Sequence, residues 1–144
     1  MSGDVRFYSS ASTEKIRNSP TGETVNAYWK RKAEGGAVAA TVSYNSWPNG
    51  TFDYRTYGTI ILGPGYYDPG SPDSGAFTQY YNNGGDVART QKNLLLHEFL
   101  HWESNAGHAD IFKKLELGKR GYDSTNPSRE LDKFLANDCK DKGK

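Results

Sequence analysis

The sequence predicts one α+β domain, with a few short strands in its first half and helices in its second half. Two observations support this fold class. Extended segments rich in β-branched and aromatic residues precede residue 63, whereas helical patterns with recognisable ends dominate after residue 86. At 144 residues the chain is also long enough to bury a core without disulfide bonds, and its single cysteine, Cys139, excludes an intramolecular disulfide. We therefore expect residues 1–144 to form a single domain.

The first half contains one predicted helix and several predicted strands. Residues 1–20 are polar and expected to be loosely attached, although residues 5–8 can add a short edge strand. A helix is predicted at residues 21–34, ended by Gly35-Gly36, with an apolar face formed by Val25, Tyr28 and Trp29. Strands are predicted at residues 37–44, 51–54 and 57–62, and the last of them is the clearest. A turn is predicted at residues 45–50, between the first two strands.

Residues 63–86 are predicted to be a long loop, dense in glycine, proline, aspartate and tyrosine. Loops of this length are uncommon in compact domains and often cover binding sites. The segment leads directly into the motif that follows it. Two interpretations therefore stay open, a lid over a functional site or a flexible insertion.

All three histidines of the chain lie within twelve residues, and His97, Glu98 and His101 form the pattern H-E-x-x-H. This segment is predicted to be a helix that begins after the N-cap Asp86 and is buried, because apolar residues surround the motif. Residues four apart share a helix face, so His97 and His101 can bind one metal ion. The Glu98 carboxylate is placed to accept a proton from a water molecule bound to that ion. A purely structural zinc site does not need such a carboxylate.

The third metal ligand is predicted to follow a reversal of the chain. The segment 105–107 is typical of a helix end, with Gly107 expected to adopt the left-handed conformation. His108 follows directly and is the preferred ligand, because zinc favours imidazole. Asp110 is the alternative ligand, although it can instead cap the next helix. Three protein ligands would leave the fourth position for water, as in catalytic zinc sites.

Two shorter helices are predicted after the motif. The first covers residues 109–117 and ends at Gly118. The second covers residues 128–138, with a buried side formed by Leu131, Phe134 and Leu135. The lysine-rich tail at residues 140–144 is expected to be flexible.

The charge of the chain limits its partners. The formal net charge is +1, and the basic cluster at residues 30–32 is too small to form a nucleic-acid surface. No apolar run approaches the length of a membrane span, and no signal peptide follows Met1. We expect neither nucleic acid nor a membrane as a partner, and a chain that is intracellular or carried by something larger.

Several segments resemble the zincin group of zinc metallopeptidases. More narrowly, they are similar to C-terminal modules of large bacterial RHS-repeat proteins and other secreted proteins of the polymorphic-toxin type. The resemblance is carried by residues 94–101, 107–111, 115–118 and 135–139, and it covers about the last third of the chain. Such modules commonly have aspartate where this chain has His108, so the identity of the third ligand stays open.

The resemblance implies a zincin-like fold, in which a small twisted sheet lies above the active-site helix and smaller helices follow it. It also implies an edge strand along the substrate cleft. Residues 57–62 are the best candidate for that strand, with Thr59, Ile60 and Ile61 binding an extended peptide by strand addition. The resemblance further implies peptidase activity on proteins. It also implies secretion or delivery as part of a larger bacterial protein, and a toxin role.

The leading hypothesis is a zinc-dependent endopeptidase that binds one Zn²⁺ through His97, His101 and His108, or through Asp110 as third ligand, with Glu98 as general base. Ten tyrosines leave the donor to the oxyanion unassigned. The alternative hypothesis is a zinc-containing module that binds a protein partner, such as an immunity or carrier protein, without cleavage. A third hypothesis is hydrolysis of a non-peptide amide, such as a cell-wall cross-link.

Overall fold

The computed structural model describes residues 4–32, 38–43, 46–47 and 52–144, which form a mixed α/β architecture compatible with the predicted α+β class. The strands of this part of the chain are β1 (Asp4–Ser9), β2 (Ala39–Thr41) and β3 (Tyr57–Leu62). Its helices are α1 (Val25–Lys32), α2 (Pro64–Tyr67), α3 (Phe77–Asn82), α4 (Val87–Ser104), α5 (His108–Lys114) and α6 (Pro127–Ala136).

The three strands form one sheet in the order β1-β3-β2. Strand β1 is parallel to β3, whereas β2 is antiparallel to it, with Thr41 opposite Ile60. The predicted bounds of β3 are confirmed, but the prediction that it is an edge strand is wrong. Thr59, Ile60 and Ile61 are fully buried between the two neighbouring strands, so they cannot bind a peptide by strand addition. A strand without charged residues is typical of the centre of a sheet.

Two further segments of the first half differ from expectation. The described part of the predicted strand at residues 51–54 contains no strand. Instead, Asp53 Oδ1 accepts the backbone N–H of Arg55 (3.2 Å) and of Thr56 (3.0 Å), and these hydrogen bonds form a turn. The segment 63–86 is not a structureless loop, since it contains α2 and α3. The side chain of Gln91 on α4 donates to the carbonyl of Tyr66 at 3.1 Å and connects this segment to the motif helix.

One core lies between α1 and the sheet. Strand β1 contributes Tyr8, α1 contributes Val25 and Tyr28, and β3 contributes Ile61. The segment between β1 and α1, expected to be loosely attached, places Ile16 in the same core with 2% of its surface exposed. The predicted end of the first helix at Gly35-Gly36 and most of the turn at 45–50 lie outside the described residues.

Helix α4 packs against the other face of the sheet and spans 18 residues. Trp102 is buried beneath Gly58, where a Cβ atom would lie 2.6 Å from the indole nitrogen. The prediction that this helix is buried is correct only for part of its surface, because Leu94 and Trp102 are buried whereas Leu96 and Phe99 are each 40% exposed. Across the described residues, every helix is too short or too polar to cross a lipid bilayer.

A second core joins α5 and α6 below the motif. Ile111 and Phe112 of α5 pack with a buried side of α6 that matches the predicted one, formed by Leu131, Phe134 and Leu135. Helix α5 ends at Lys114, earlier than predicted, and Glu116 adopts the left-handed conformation with φ 54°. The tail expected to be flexible contacts the fold, since the backbone N–H of Lys142 donates to the carbonyl of Arg120 at 2.8 Å.

Candidate metal centre

The motif lies on α4, whose start is fixed by its cap. Gly84 and Gly85 have φ of 69° and 74°, and the Asp86 that follows them is extended. Its side chain accepts the backbone N–H of Arg89 at 3.0 Å, which confirms the predicted N-cap. The unbroken helix then brings His97 and His101 to one face.

The chain reverses directly after α4, and the reversal places His108. The left-handed residue is Asn105, with φ 48° and ψ 46°, rather than Gly107 as expected. Asparagine tolerates this conformation better than most residues with a side chain, so the helix can end two residues earlier. Gly107 is extended and precedes α5, whose first residue is His108.

Three imidazoles converge on one point. His108 Nε2 lies 2.9 Å from His97 Nε2 and 3.1 Å from His101 Nε2. In a tetrahedral zinc site with bonds of 2.0–2.1 Å, two ligand nitrogens are about 3.3 Å apart. The three side chains therefore lie close enough together to hold a single metal ion, and they form a group of this kind within the described residues. Asp110 is exposed on the first turn of α5 and is not part of the group.

The outward nitrogens of two of these imidazoles have fixed partners. His97 Nδ1 lies 2.7 Å from Asp132 Oδ1 on α6, and His101 Nδ1 lies 2.7 Å from the carbonyl oxygen of Ala106. Both partners are acceptors, so each Nδ1 carries the proton and each Nε2 presents its lone pair to the centre. Asp132 could not be recognised from the sequence as a partner of His97. The sequence shows only that it is an acidic residue beside the buried side of the last predicted helix.

The electrostatics of the cluster differ between its members. Burial, with the nearby charges of His97 and His101, lowers the pKa of His108 to about 4. Burial also acts to lower the pKa of His97, but the hydrogen bond and charge of Asp132, together with the charge of Glu98, outweigh it and raise that pKa above its ordinary value. His108 is thus neutral near pH 7 and available as a ligand, whereas a proton competes for His97.

Glu98 is held by the neighbouring strand. The hydroxyl of Thr41 on β2 lies 2.7 Å from Glu98 Oε2 and donates to it. The same hydroxyl lies 3.1 Å from the Glu98 carbonyl oxygen, which brings the end of β2 directly over the motif. Sequence reasoning missed Thr41, since the residue lies in a short strand with no local motif.

Two cavities meet at the cluster. One has a volume of about 420 Å³ and is lined by Thr41, Glu98, His101 and the reversal at Asn105. The other, of about 350 Å³, contains all three imidazoles together with Glu98 and Ala39 of β2. They share Glu98 and His101, so both cavities border these two residues. No tyrosine of the described residues lines either cavity, and the segment 63–86 contributes only Gln79.

Comparisons of this chain with protein-family models, with curated proteins and with solved structures find no match. The site is therefore characterised by its own geometry. Three imidazole nitrogens lie within 4.8 Å of one another, two of the imidazoles are oriented by acceptors, and Glu98 of α4 lines the same cavity.

Proposed function

We propose that the protein is a zinc-dependent, zincin-like endopeptidase that uses Glu98 as its general base. The observation that carries the proposal is the convergence of His97, His101 and His108 beside the Glu98 carboxylate. A zinc ion held by these imidazoles would supply a Lewis acid for the scissile carbonyl and would lower the pKa of the attacking water. The donor set fits zinc, which favours imidazole nitrogen over exposed carboxylates such as Asp110.

Glu98 would take a proton from the attacking water and later pass it to the leaving amine. The Thr41 hydroxyl occupies Oε2 and fixes the orientation of the carboxylate, which leaves Oε1 for the reaction. A base held in this way does not have to reorient during turnover. Thr41 is therefore a positioning residue in the proposed mechanism.

Strand β2 replaces β3 as the strand proposed to bind the substrate. Within the described residues β2 pairs on one side only, with β3, and its other side carries no strand. Ala39 and Thr41 line the two cavities that meet at Glu98. An extended peptide paired with β2 would run through both cavities and past the Glu98 carboxylate. Such a continuous path favours cleavage within a chain over removal of a terminal residue. Delivery by a larger bacterial protein, a toxin role and an immunity or carrier partner stay predictions.

Glu98→Gln tests the proposal, because glutamine keeps the shape of the side chain and cannot act as the base. Wild type, Glu98→Gln and the control Glu103→Gln, an exposed residue of the same helix, would be loaded with zinc and given a mixed peptide library. We expect cleavage by wild type and control, and a loss of about 10²–10⁴-fold in Glu98→Gln. Zinc content should stay near one ion per chain in all three proteins.

Two results would count against the proposal. Turnover retained in Glu98→Gln would exclude Glu98 as the base. Bound zinc without cleavage of any peptide by the wild type would favour the protein-binding module instead.

A further inference from the structure

The Asp132 carboxylate connects the metal centre to helix α3. Its Oδ1 lies 2.7 Å from His97 Nδ1, and its Oδ2 accepts a hydrogen bond from Gln79 Nε2 at 3.1 Å. An ionised carboxylate only accepts hydrogen bonds, so the amide nitrogen of Gln79, and not its oxygen, faces Asp132. No other donor among the described residues lies within hydrogen-bond distance of Oδ2. Gln79 therefore supplies the second of the two contacts that hold this carboxylate.

A single contact does not fix the orientation of an aspartate carboxylate. The last torsion of this side chain is broad and roughly two-fold, so the plane of the carboxylate can turn about the Cβ–Cγ bond. A hydrogen bond at one oxygen leaves much of this freedom, whereas a second one at the other oxygen defines the plane. The Asp132 side chain is only 11% exposed, so an oxygen without the Gln79 donor would have little access to water. Loss of Gln79 is thus expected to let the carboxylate turn away from His97.

Gln79 is itself held in place through Asn83, the residue that ends α3. The main-chain carbonyl of Gln79 accepts Asn83 Nδ2 at 2.7 Å, and Asn83 Oδ1 accepts Asn93 Nδ2 of α4, also at 2.7 Å. Both asparagines are buried. Because the nitrogen and the oxygen of the Asn83 amide each have a partner, its orientation is defined. These bonds attach α3 to the motif helix at Gln79.

The contacts together form a closed path that begins and ends on α4. Asn93 and His97 lie four residues apart on this helix and share one of its faces. Between them the path crosses α3 and α6, so three helices are joined by hydrogen bonds at one proposed metal ligand. We name this set the hydrogen-bonded circuit, and it consists of His97, Asp132, Gln79, Asn83 and Asn93.

We propose that Gln79 is a positioning residue of the metal centre, which fixes the plane of the Asp132 carboxylate and through it the imidazole of His97. Gln79 acts on the metal ion only through Asp132. The inference rests on the metal centre of the proposed function, but it does not depend on peptide cleavage. It gives the segment 63–86 a part in metal binding, which neither a lid nor a flexible insertion would have.

Gln79→Met tests the proposal, because methionine keeps the length of the side chain and cannot donate a hydrogen bond. The matched control is Gln91→Met. Gln91 Nε2 donates to the Tyr66 carbonyl of the same segment at the same distance of 3.1 Å, but it does not contact Asp132. Removal of a direct partner of a metal ligand weakens binding by about 10–100-fold, and for this indirect partner we expect the zinc Kd to rise about threefold to tenfold. The control should stay within about twofold of wild type.

Gln79→Ala removes the same donor with a smaller side chain and should give the same loss of zinc affinity. Circular dichroism would verify that each variant is folded. An unchanged zinc Kd in both Gln79 variants would overturn the proposal. An equal loss in Gln91→Met would also overturn it, because the effect would then come from any weakening of the segment 63–86.

A double-mutant cycle tests whether Gln79 acts through Asp132. Asp132→Ala removes the contacts with His97 and Gln79 together. In this background Gln79→Met should change the zinc Kd by less than about twofold, because the carboxylate that Gln79 orients is absent. The same loss in both backgrounds would show that Gln79 affects zinc by another route and would overturn the proposal.

Nuclear magnetic resonance distinguishes positioning from a general loss of structure. In the zinc-loaded protein, the Nδ1–H proton of His97 reports its hydrogen bond to Asp132, and that of His101 reports its hydrogen bond to the Ala106 carbonyl. We expect the His97 resonance to move in Gln79→Met and the His101 resonance to stay in place. No movement of either resonance, or equal movement of both, would overturn the positioning role.

The outcomes separate this inference from the proposed function. An unchanged zinc Kd in the Gln79 variants of a protein that cleaves peptides overturns the role of Gln79 and leaves the peptidase function intact. An Asp132-dependent loss of zinc affinity in a protein that cleaves no peptide supports the role of Gln79 and counts against the peptidase function. A wild-type protein that binds no zinc would overturn both.

Discussion

Replacing Asp132 by asparagine should weaken zinc binding while leaving the three proposed ligands in place. The carboxylate lies 2.7 Å from His97 Nδ1, and the side chains are only 12% exposed for His97 and 11% for Asp132. An asparagine oxygen can still accept the His97 proton, but the negative charge that makes the imidazole a stronger ligand is lost. Removing such a partner lowers metal affinity by about 10–100-fold. Since asparagine keeps the hydrogen bond, we expect about tenfold, which corresponds to about 1.4 kcal/mol.

The assay is a competition for zinc between the protein and a chromophoric chelator at fixed pH and salt, which gives the zinc Kd. Asp138→Asn is a matched control, because Asp138 is 60% exposed in its surface ion pair with Arg89 and contacts no proposed ligand. Its zinc Kd should stay within about twofold of wild type. Circular dichroism would verify that both variants are folded. A zinc Kd of Asp132→Asn equal to that of wild type would refute the role given to Asp132.

Two further predictions concern the elements that position the site. Gly58→Ala should lower the free energy of unfolding by about 1–3 kcal/mol in urea denaturation, because the new Cβ would lie 2.6 Å from Trp102 Nε1. Gly118→Ala, whose Cβ would have its nearest neighbour at 3.8 Å, should change it by less than about 0.5 kcal/mol, and equal losses in both would contradict the packing argument. Asn105→Ala should lower the free energy of unfolding by about 1 kcal/mol and weaken zinc binding, because alanine adopts a φ of 48° only at a cost. Asn105→Gly should change neither the free energy of unfolding nor the zinc Kd. Identical stability and zinc Kd in the two Asn105 variants would show that the left-handed residue does not position His108.

The three imidazoles could be predicted from the sequence because the information that joins them is local. His97 and His101 share a helix face by spacing alone, and His108 follows within the same short segment. The choice between His108 and Asp110 depended on where the chain reverses. The reversal at Asn105 brings the first residue of α5 to the cluster and leaves Asp110 exposed.

The supporting residues could not be predicted, because each comes from a distant part of the chain. Asp132 contacts His97 across 35 residues of sequence, and Thr41 contacts Glu98 across 57. Neither lies in a motif, so only the packing of α6 and β2 against α4 brings them to the site. The role of Gln79 depends in turn on the contact with Asp132.

The fold shows the same division between local and long-range information. The apolar run of β3 fixed its bounds, but a run of residues does not reveal which strands pair with it. The pairing with β1 on one side and β2 on the other made β3 central and buried Thr59, Ile60 and Ile61. For the same reason β2, a strand of three residues, was expected only as part of a longer segment and not as the strand beside the motif.

Zinc-edge X-ray absorption of the zinc-loaded protein tests the central claim most directly. We predict one zinc ion per chain with three imidazole nitrogens at about 2.0–2.1 Å, and a shell in His108→Ala that has lost one imidazole. A zinc shell with two imidazoles and an Asp110 carboxylate, or a shell unchanged in His108→Ala, would contradict the proposed metal centre.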